Sequence, residues 1–262
     1  MPKIHPSAIV DPAARLDDSV EIGPFCVVGP DAVIGAGTRL GPGVVVQGWT
    51  TIGRNNVIMA HSVMGSPPQD FSWKGERSFL RVGDNNIIHE YVTFAPGTKP
   101  ETETVIGSDG MFMVGAHVAH NCVVGNNVVL VNNTALGGYV EVSDRVFISA
   151  SSSVHQFCRI GRLAMVATLT RPSQDVPPFM TVQDVPAVVY TLNVVGMTRA
   201  GFSQETRARI KTAYKIFYHD KYNFSEAVRV IEETPDLIAV PEVKEFTEFV
   251  KSSKRGVCGH HR

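Results

Sequence analysis

Aliphatic side chains recur at every sixth position through most of this chain, and that period decides what it can fold into. Counting from Ile4, the series runs Val10, Leu16, Ile22, Val28, Ile34, Leu40, Val46, Ile52, Ile58 and Met64. It resumes in phase at Val82, Ile88 and Phe94, and again from Ile106 through Phe112, Val118, Val124, Leu130, Leu136, Val142, Ile148, Val154, Ile160 and Val166. A hexapeptide period marks a parallel β-helix. Each hexad makes one short strand and one turn, and three hexads close a triangular coil of eighteen residues. The aliphatic residue faces inward and stacks on its counterpart one coil away, at the usual inter-strand spacing of about 4.8 Å. The residue four positions further on is also expected inside, as at Cys26, Ala32, Thr38 and Val44. Asp84-Asn85-Asn86 and Gly125-Asn126-Asn127 read as corners, where a left-handed backbone costs Gly and Asn little.

Two stretches interrupt the hexads without breaking their phase, at 66–81 and 98–105. Both are predicted to be loops thrown out from the prism, the kind of excursion that carries function on a rigid scaffold. The first holds Gln69, Asp70 and Trp73, which are predicted to touch a ligand. After Val166 the repeat fades and the period becomes helical. Ile210, Ala213, Tyr214 and Phe217 fall on one face behind Ser203, an N-cap residue. Asn223-Phe-Ser-Glu226 resembles a capping box, and a third helix is predicted from Pro241, with Val243, Phe246 and Val250 on one face. The fold class expected is mainly β: a left-handed parallel β-helix over 1–190 followed by an α-helical domain over 191–262. The handedness comes from the class of hexapeptide β-helices, which run against the usual crossover rule. The tail, Cys258-Gly-His-His-Arg262, is expected to fray and to bind no metal.

Composition narrows the function. A net charge of -1 gives no electrostatic case for nucleic acid or an anionic membrane surface. No apolar run is long enough to span a bilayer, and the N-terminus lacks a signal peptide's apolar core. Four scattered cysteines, Cys26, Cys122, Cys158 and Cys258, suit a reducing compartment, so a cytoplasmic protein is expected. The first three fall at inward places and read as small core residues.

The stride of eighteen also serves as a ruler for chemistry. His120, Gly138 and Gln156 share one place in successive coils and so form a vertical column. An imidazole acts as a general base near neutral pH. A glycine N–H lets an oxyanion approach closely, and a side-chain amide can orient a substrate. His117 and His155 flank this column. Zinc-binding β-helices of the γ-carbonic anhydrase type use a His-x-x-x-x-His pair, whereas the pair here is His117-x-x-His120, so no metal is expected.

Particular motifs go further. They are His-Pro-Ser-Ala-Ile-Val at 5–10, Ile-Gly-Pro-Phe-Cys at 22–26, Gln69-Asp70, His-Val-Ala-His at 117–120, Val-His-Gln-Phe-Cys at 154–158, Gln-Asp-Val-Pro-Pro at 174–178 and Arg-x-Gly-Phe-Ser at 199–203. With these the chain resembles the bacterial acyl-carrier-protein–UDP-N-acetylglucosamine O-acyltransferases, which begin lipid A synthesis. The resemblance implies a homotrimer with active sites between neighbouring prisms. It implies that His120 is the general base for the sugar 3-hydroxyl and that the Gly138 N–H stabilises the oxyanion. It assigns Gln69, Asp70, His117, His155 and Gln156 to the sugar and acyl pockets, Asn193 and Arg199 to the nucleotide and its phosphates, and Thr168 to acyl-chain length. The partners implied are an acyl carrier protein and a UDP-amino sugar, with no metal or organic cofactor. The sequence departs from the family where Asn121 follows the base in place of the usual Asp, and at Ala95 and Tyr139, where histidines are frequent. An amine acceptor on a 3-amino UDP-sugar stays open, as does a non-catalytic paralogue that only binds nucleotide sugar or acyl carrier.

Overall fold

The inward aliphatic residues settle the architecture. In a computed structural model that describes residues 1–261, every member of the hexad series from Ile22 to Val166 is at most 4% exposed. Only the first coil departs: Ile4 is 40% exposed, because no coil lies beneath it to cover the end of the prism. Among the described residues, strands of two to five residues build three walls, two of eight strands and one of eleven. Neighbours within a wall are parallel and keep one register, as in Lys3 opposite Glu21, Val45 opposite Val63 and Glu141 opposite Arg159. The result is a left-handed parallel β-helix.

Polar residues at the second inward place stay inside because each meets a corner. The Thr38 hydroxyl donates to the Gly53 carbonyl at 2.8 Å, the Asn56 amide to Gly83 at 2.8 Å and the Asn86 amide to Gly107 at 3.0 Å. Such pairing removes the desolvation cost that a buried polar group otherwise carries.

The two loops keep phase because they insert whole hexads. Val57 pairs with Ile87, thirty residues on, and Ile87 with Met111, twenty-four on. The loops are shorter than their sequence suggests, however. Phe79–Val82 and Glu103–Ile106 are strands, and Phe79–Val82 pairs residue for residue with Glu103–Ile106 on one side and Trp49–Ile52 on the other. The ladder of backbone hydrogen bonds thus recruits 79–81 and 103–105 into the wall.

A parallel strand, Met180–Gln183, and its antiparallel partner, Val188–Leu192, end the prism. Among the described residues five helices follow: α1 (Val194–Arg199), α2 (Gln204–Tyr218), α3 (Phe224–Glu232), α4 (Pro235–Ile238) and α5 (Pro241–Lys251). Ser203 caps α2, and Asn223 with Glu226 forms the capping box of α3, as the sequence indicates. The short α1 and α4 carry too few turns for a periodic signal. As far as His261 the tail does not fray; Arg262 lies outside the described residues. Val257 and Cys258 are buried, the Tyr218 hydroxyl donates to the Cys258 carbonyl at 3.2 Å, and Tyr214 bonds His260 at 2.8 Å. Aromatic residues of α2 supply the contacts that a reading of the tail alone misses.

Leu130 stacks in the fully buried column. Leu130→Ala is expected to cost about 2–5 kcal/mol of stability, read from the denaturant midpoint, whereas the outward Val129→Ala is expected to cost about 1 kcal/mol or less.

Candidate active site

One wall of the prism gathers the chemistry. Its outward residues Thr93, His117, Ala135 and Ser153 stack in register. Its corner carries His120, Gly138 and Gln156, with Gln69 and Asp70 arriving from the first loop. Together with His155 and Arg171 these residues, Thr93 excepted, line a cavity of about 490 Å³. A larger cavity, about 790 Å³, runs along another wall over Ile4, Ile22, Leu40 and Ile58. Its lining carries Lys3, His5, Glu21, Arg39 and Glu90, but no side-chain amide.

His120 is 8% exposed and touched from three sides. Its Nδ1 lies 3.1 Å from the Asn121 Oδ1 and its Nε2 lies 3.2 Å from the Asp70 Oδ2. The Asn121 oxygen also accepts from the Thr98 N–H at 3.1 Å. A backbone N–H only donates, so the atom it meets must be the amide oxygen, and the imidazole nitrogen facing that oxygen must carry its proton. A carboxylate oxygen only accepts, so the contact of Nε2 with Asp70 is an ion pair of the protonated ring, whereas the neutral ring, with its proton on Nδ1, carries its lone pair on Nε2. Asn121 thus orients the imidazole through a neutral oxygen, while Asp70 supplies the negative charge on the opposite side.

Hydrogen bonds from the Ser72 hydroxyl and N–H hold the Asp70 carboxyl below the usual carboxylate range. Asp70 is thus an anion across the neutral range. Burial, reinforced by the neighbouring His120, pushes His117 below its ordinary value, and its Nδ1 lies 2.7 Å from the Thr93 hydroxyl.

Gly138 must be glycine for reasons of space. A Cβ there would lie 2.4 Å from Cε1 and 2.6 Å from Nε2 of His120. Its N–H donates to no backbone carbonyl among the described residues, so it is available to a ligand. Behind the column, Tyr139 and Phe157 hold left-handed φ values of 59° and 65° and stack at 4.9 Å, with Tyr139 edge-on to His120 at 5.4 Å. Non-glycine residues in that region cost roughly 1–2 kcal/mol each, strain that neighbouring coils must hold in place.

Three residues named from the sequence stand apart from the cavity. Asn193 is the N-cap of α1: its Oδ1 accepts from the Gly196 N–H at 2.9 Å and its Nδ2 donates to Leu163 at 2.8 Å. Arg199 ends the same helix, exposed. Thr168 is exposed at the other corner of the wall, one turn before Arg171. The sequence reading missed Arg171, although the ruler reaches it: it lies eighteen residues beyond Ser153. Trp73 is half-buried, with its Nε1 donating to the Glu76 carbonyl at 3.4 Å inside its own loop.

A three-walled hexapeptide prism with such a pocket on one wall defines a bacterial hexapeptide transferase, and residues 31–66 match that repeat family. Residues 175–258 match the domain family described as Udp N-acetylglucosamine O-acyltransferase; Domain 2. The acyl-[acyl-carrier-protein]–UDP-N-acetylglucosamine O-acyltransferase of Janthinobacterium sp. (strain Marseille) is 45% identical, over 98% of this chain and 99% of its own length. The enzyme of that name from Thermodesulfovibrio yellowstonii is 41% identical, over 98% and 100%. Among solved structures, the Acinetobacter baumannii protein superposes with a TM-score of 0.93 at 36% identity, covering 97% of this chain and 99% of that one. The UDP-N-acetylglucosamine acyltransferase of Francisella novicida gives 0.93 at 34%, covering 98% and 94%. The chain belongs to the family of acyl-[acyl-carrier-protein]–UDP-N-acetylglucosamine O-acyltransferases.

His117 gives a test of the electrostatics. Its folded proton affinity lies below the unfolded value of about 6.5, so stability is fully present above that pH and falls as pH drops below it. His117→Gln is expected to flatten the fall in melting temperature between about pH 7 and about pH 5. An unchanged slope would contradict the assignment.

Proposed function

We propose that the chain transfers a (3-hydroxy)acyl group from acyl carrier protein to the 3-hydroxyl of UDP-N-acetylglucosamine, with His120 as general base. The observation that carries this reading is His120, its Nδ1 against the Asn121 oxygen and its Nε2 beside the Asp70 carboxylate, in the cavity that Gly138 also lines. The enzyme names of the full-length relatives supply the substrate pair.

Nε2 takes the proton of the sugar 3-hydroxyl as that oxygen attacks the thioester carbonyl. The developing oxyanion receives the Gly138 N–H, and the Asp70 carboxylate stabilises the imidazolium. Collapse expels the carrier's thiolate, which takes the proton from the imidazolium. Gln69, His117, His155, Gln156 and Arg171 surround the sugar and acyl groups. Asn121 keeps the base oriented, which favours catalysis over a paralogue that only binds.

We further infer a homotrimer. Asn193, Arg199 and Thr168 lie outside the cavity of their own chain, and the apolar Val27, Ile87, Val123 and Phe147 are exposed on the walls. A neighbouring prism would cover such faces and bring Asn193 and Arg199 to the nucleotide, where a guanidinium suits phosphate. Thr168 would then limit the acyl groove. We place the protein in the cytoplasm, in keeping with four free cysteines. Among the described residues no helix is long and apolar enough to cross a membrane. We take 1–190 as scaffold and 191–262 as the helical domain.

The test is product mass spectrometry with acyl carrier protein and UDP-N-acetylglucosamine, run beside a 3-amino sugar nucleotide to separate ester from amide formation. His120→Ala is expected to lower kcat about 10²–10⁴-fold, and retention of more than about a tenth of the activity sinks the base assignment. Gly138→Ala, whose methyl displaces the imidazole, is expected to lower kcat about 10²-fold or more and to lower the melting temperature as overpacking does.

A further inference from the structure

The docked carboxy-terminal tail touches one residue that lines the cavity, His155, through the side chain of Arg255. Arg255 Nη2 lies 3.4 Å from Nδ1 of His155 and donates to the Ser173 carbonyl at 3.2 Å. The tail around it is held firmly. Asp175, 1% exposed, accepts from the Ser253 hydroxyl at 2.8 Å, and its own N–H donates to the Gly256 carbonyl at 3.0 Å. The Cys258 N–H donates back to the Asp175 carbonyl at 2.9 Å. Arg255 is thereby fixed on both sides in the chain.

His155 Nδ1 has a second neighbour, the Gln156 carbonyl oxygen at 3.2 Å. The two contacts demand opposite things. A guanidinium only donates, so contact with Arg255 requires Nδ1 to be an acceptor; contact with a carbonyl requires it to be a donor. A neutral imidazole has one N–H, so the two contacts belong to different tautomers. The carbonyl contact is the shorter, but the guanidinium brings a cationic donor, which strengthens the bond it makes.

We propose that Arg255 is a positioning residue that holds His155 in its Nε2–H tautomer, so that the ring offers a hydrogen-bond donor to an oxygen of the bound nucleotide sugar. The docked tail thereby becomes part of the pocket's recognition chemistry. Without the guanidinium, Nδ1 turns its proton to the Gln156 carbonyl, and Nε2 meets the substrate oxygen as a lone pair.

The kinetic arm of the test rests on the acyltransferase reading. Arg255→Gln is expected to raise KM for UDP-N-acetylglucosamine about tenfold, with kcat changed less than about threefold, the effect of one charged hydrogen bond acting in binding. Lys254→Ala, on the same tail, is expected to leave both unchanged. In a His155→Ala background, Arg255→Gln is expected to add less than about twofold, since both changes remove one interaction. A full tenfold effect in that background, or none in the wild type, overturns the proposal. The second arm needs no activity. In ¹⁵N spectra of the imidazole at alkaline pH, the wild type is expected to show the Nε2–H form of His155, and Arg255→Gln a shift toward Nδ1–H. The same tautomer in both proteins overturns the proposal even where no acyl transfer is detected, while absence of transfer by the wild type fails the functional reading alone.

Discussion

Everything in this molecule rests on vertical backbone hydrogen bonding between coils of equal length. A coil of eighteen residues returns each position to the same wall, and the parallel ladder locks it there, as with His117 over Ala135 over Ser153. One coil alone buries little, so stability comes from stacking neighbours, as in other repeat proteins. That dependence explains why both loops insert whole hexads: any other length would turn inward residues outward along the remaining prism.

The same constraint places the chemistry. Successive coils bring a base, a glycine N–H and an amide into one column without any of them being close in sequence. They also force the close approach that only glycine tolerates at 138. The strained aromatic corner of Tyr139 and Phe157 is held by the coils on either side. A rigid prism of this kind suits a reaction in which positioning and an oriented hydrogen bond supply most of the acceleration.

Much of this was legible in the sequence. The six-residue period gave the walls, the inward columns and the register across both loops, because each hexad repeats the same local rule. It also reached the His120–Gly138–Gln156 column by counting alone. What counting does not reach depends on side chains from elsewhere. The role of Asn121 rests on the Thr98 N–H, and the charge beside His120 comes from a loop outside the repeat. The tail looked loose because its anchors, Asp175, Tyr214 and Tyr218, lie on the prism's end and on α2. The loop boundaries shifted because Phe79–Arg81 and Glu103–Val105 pair with a neighbouring coil, a property of the ladder and not of those residues.

The account turns on where a hydroxyl sits when the sugar nucleotide binds. A crystal structure of the protein with UDP-N-acetylglucosamine measures this directly. The sugar 3-oxygen is expected within about 3 Å of His120 Nε2, on the side facing the Gly138 N–H. A sugar seated with that oxygen beyond reach of the imidazole, or bound on another wall, would contradict it.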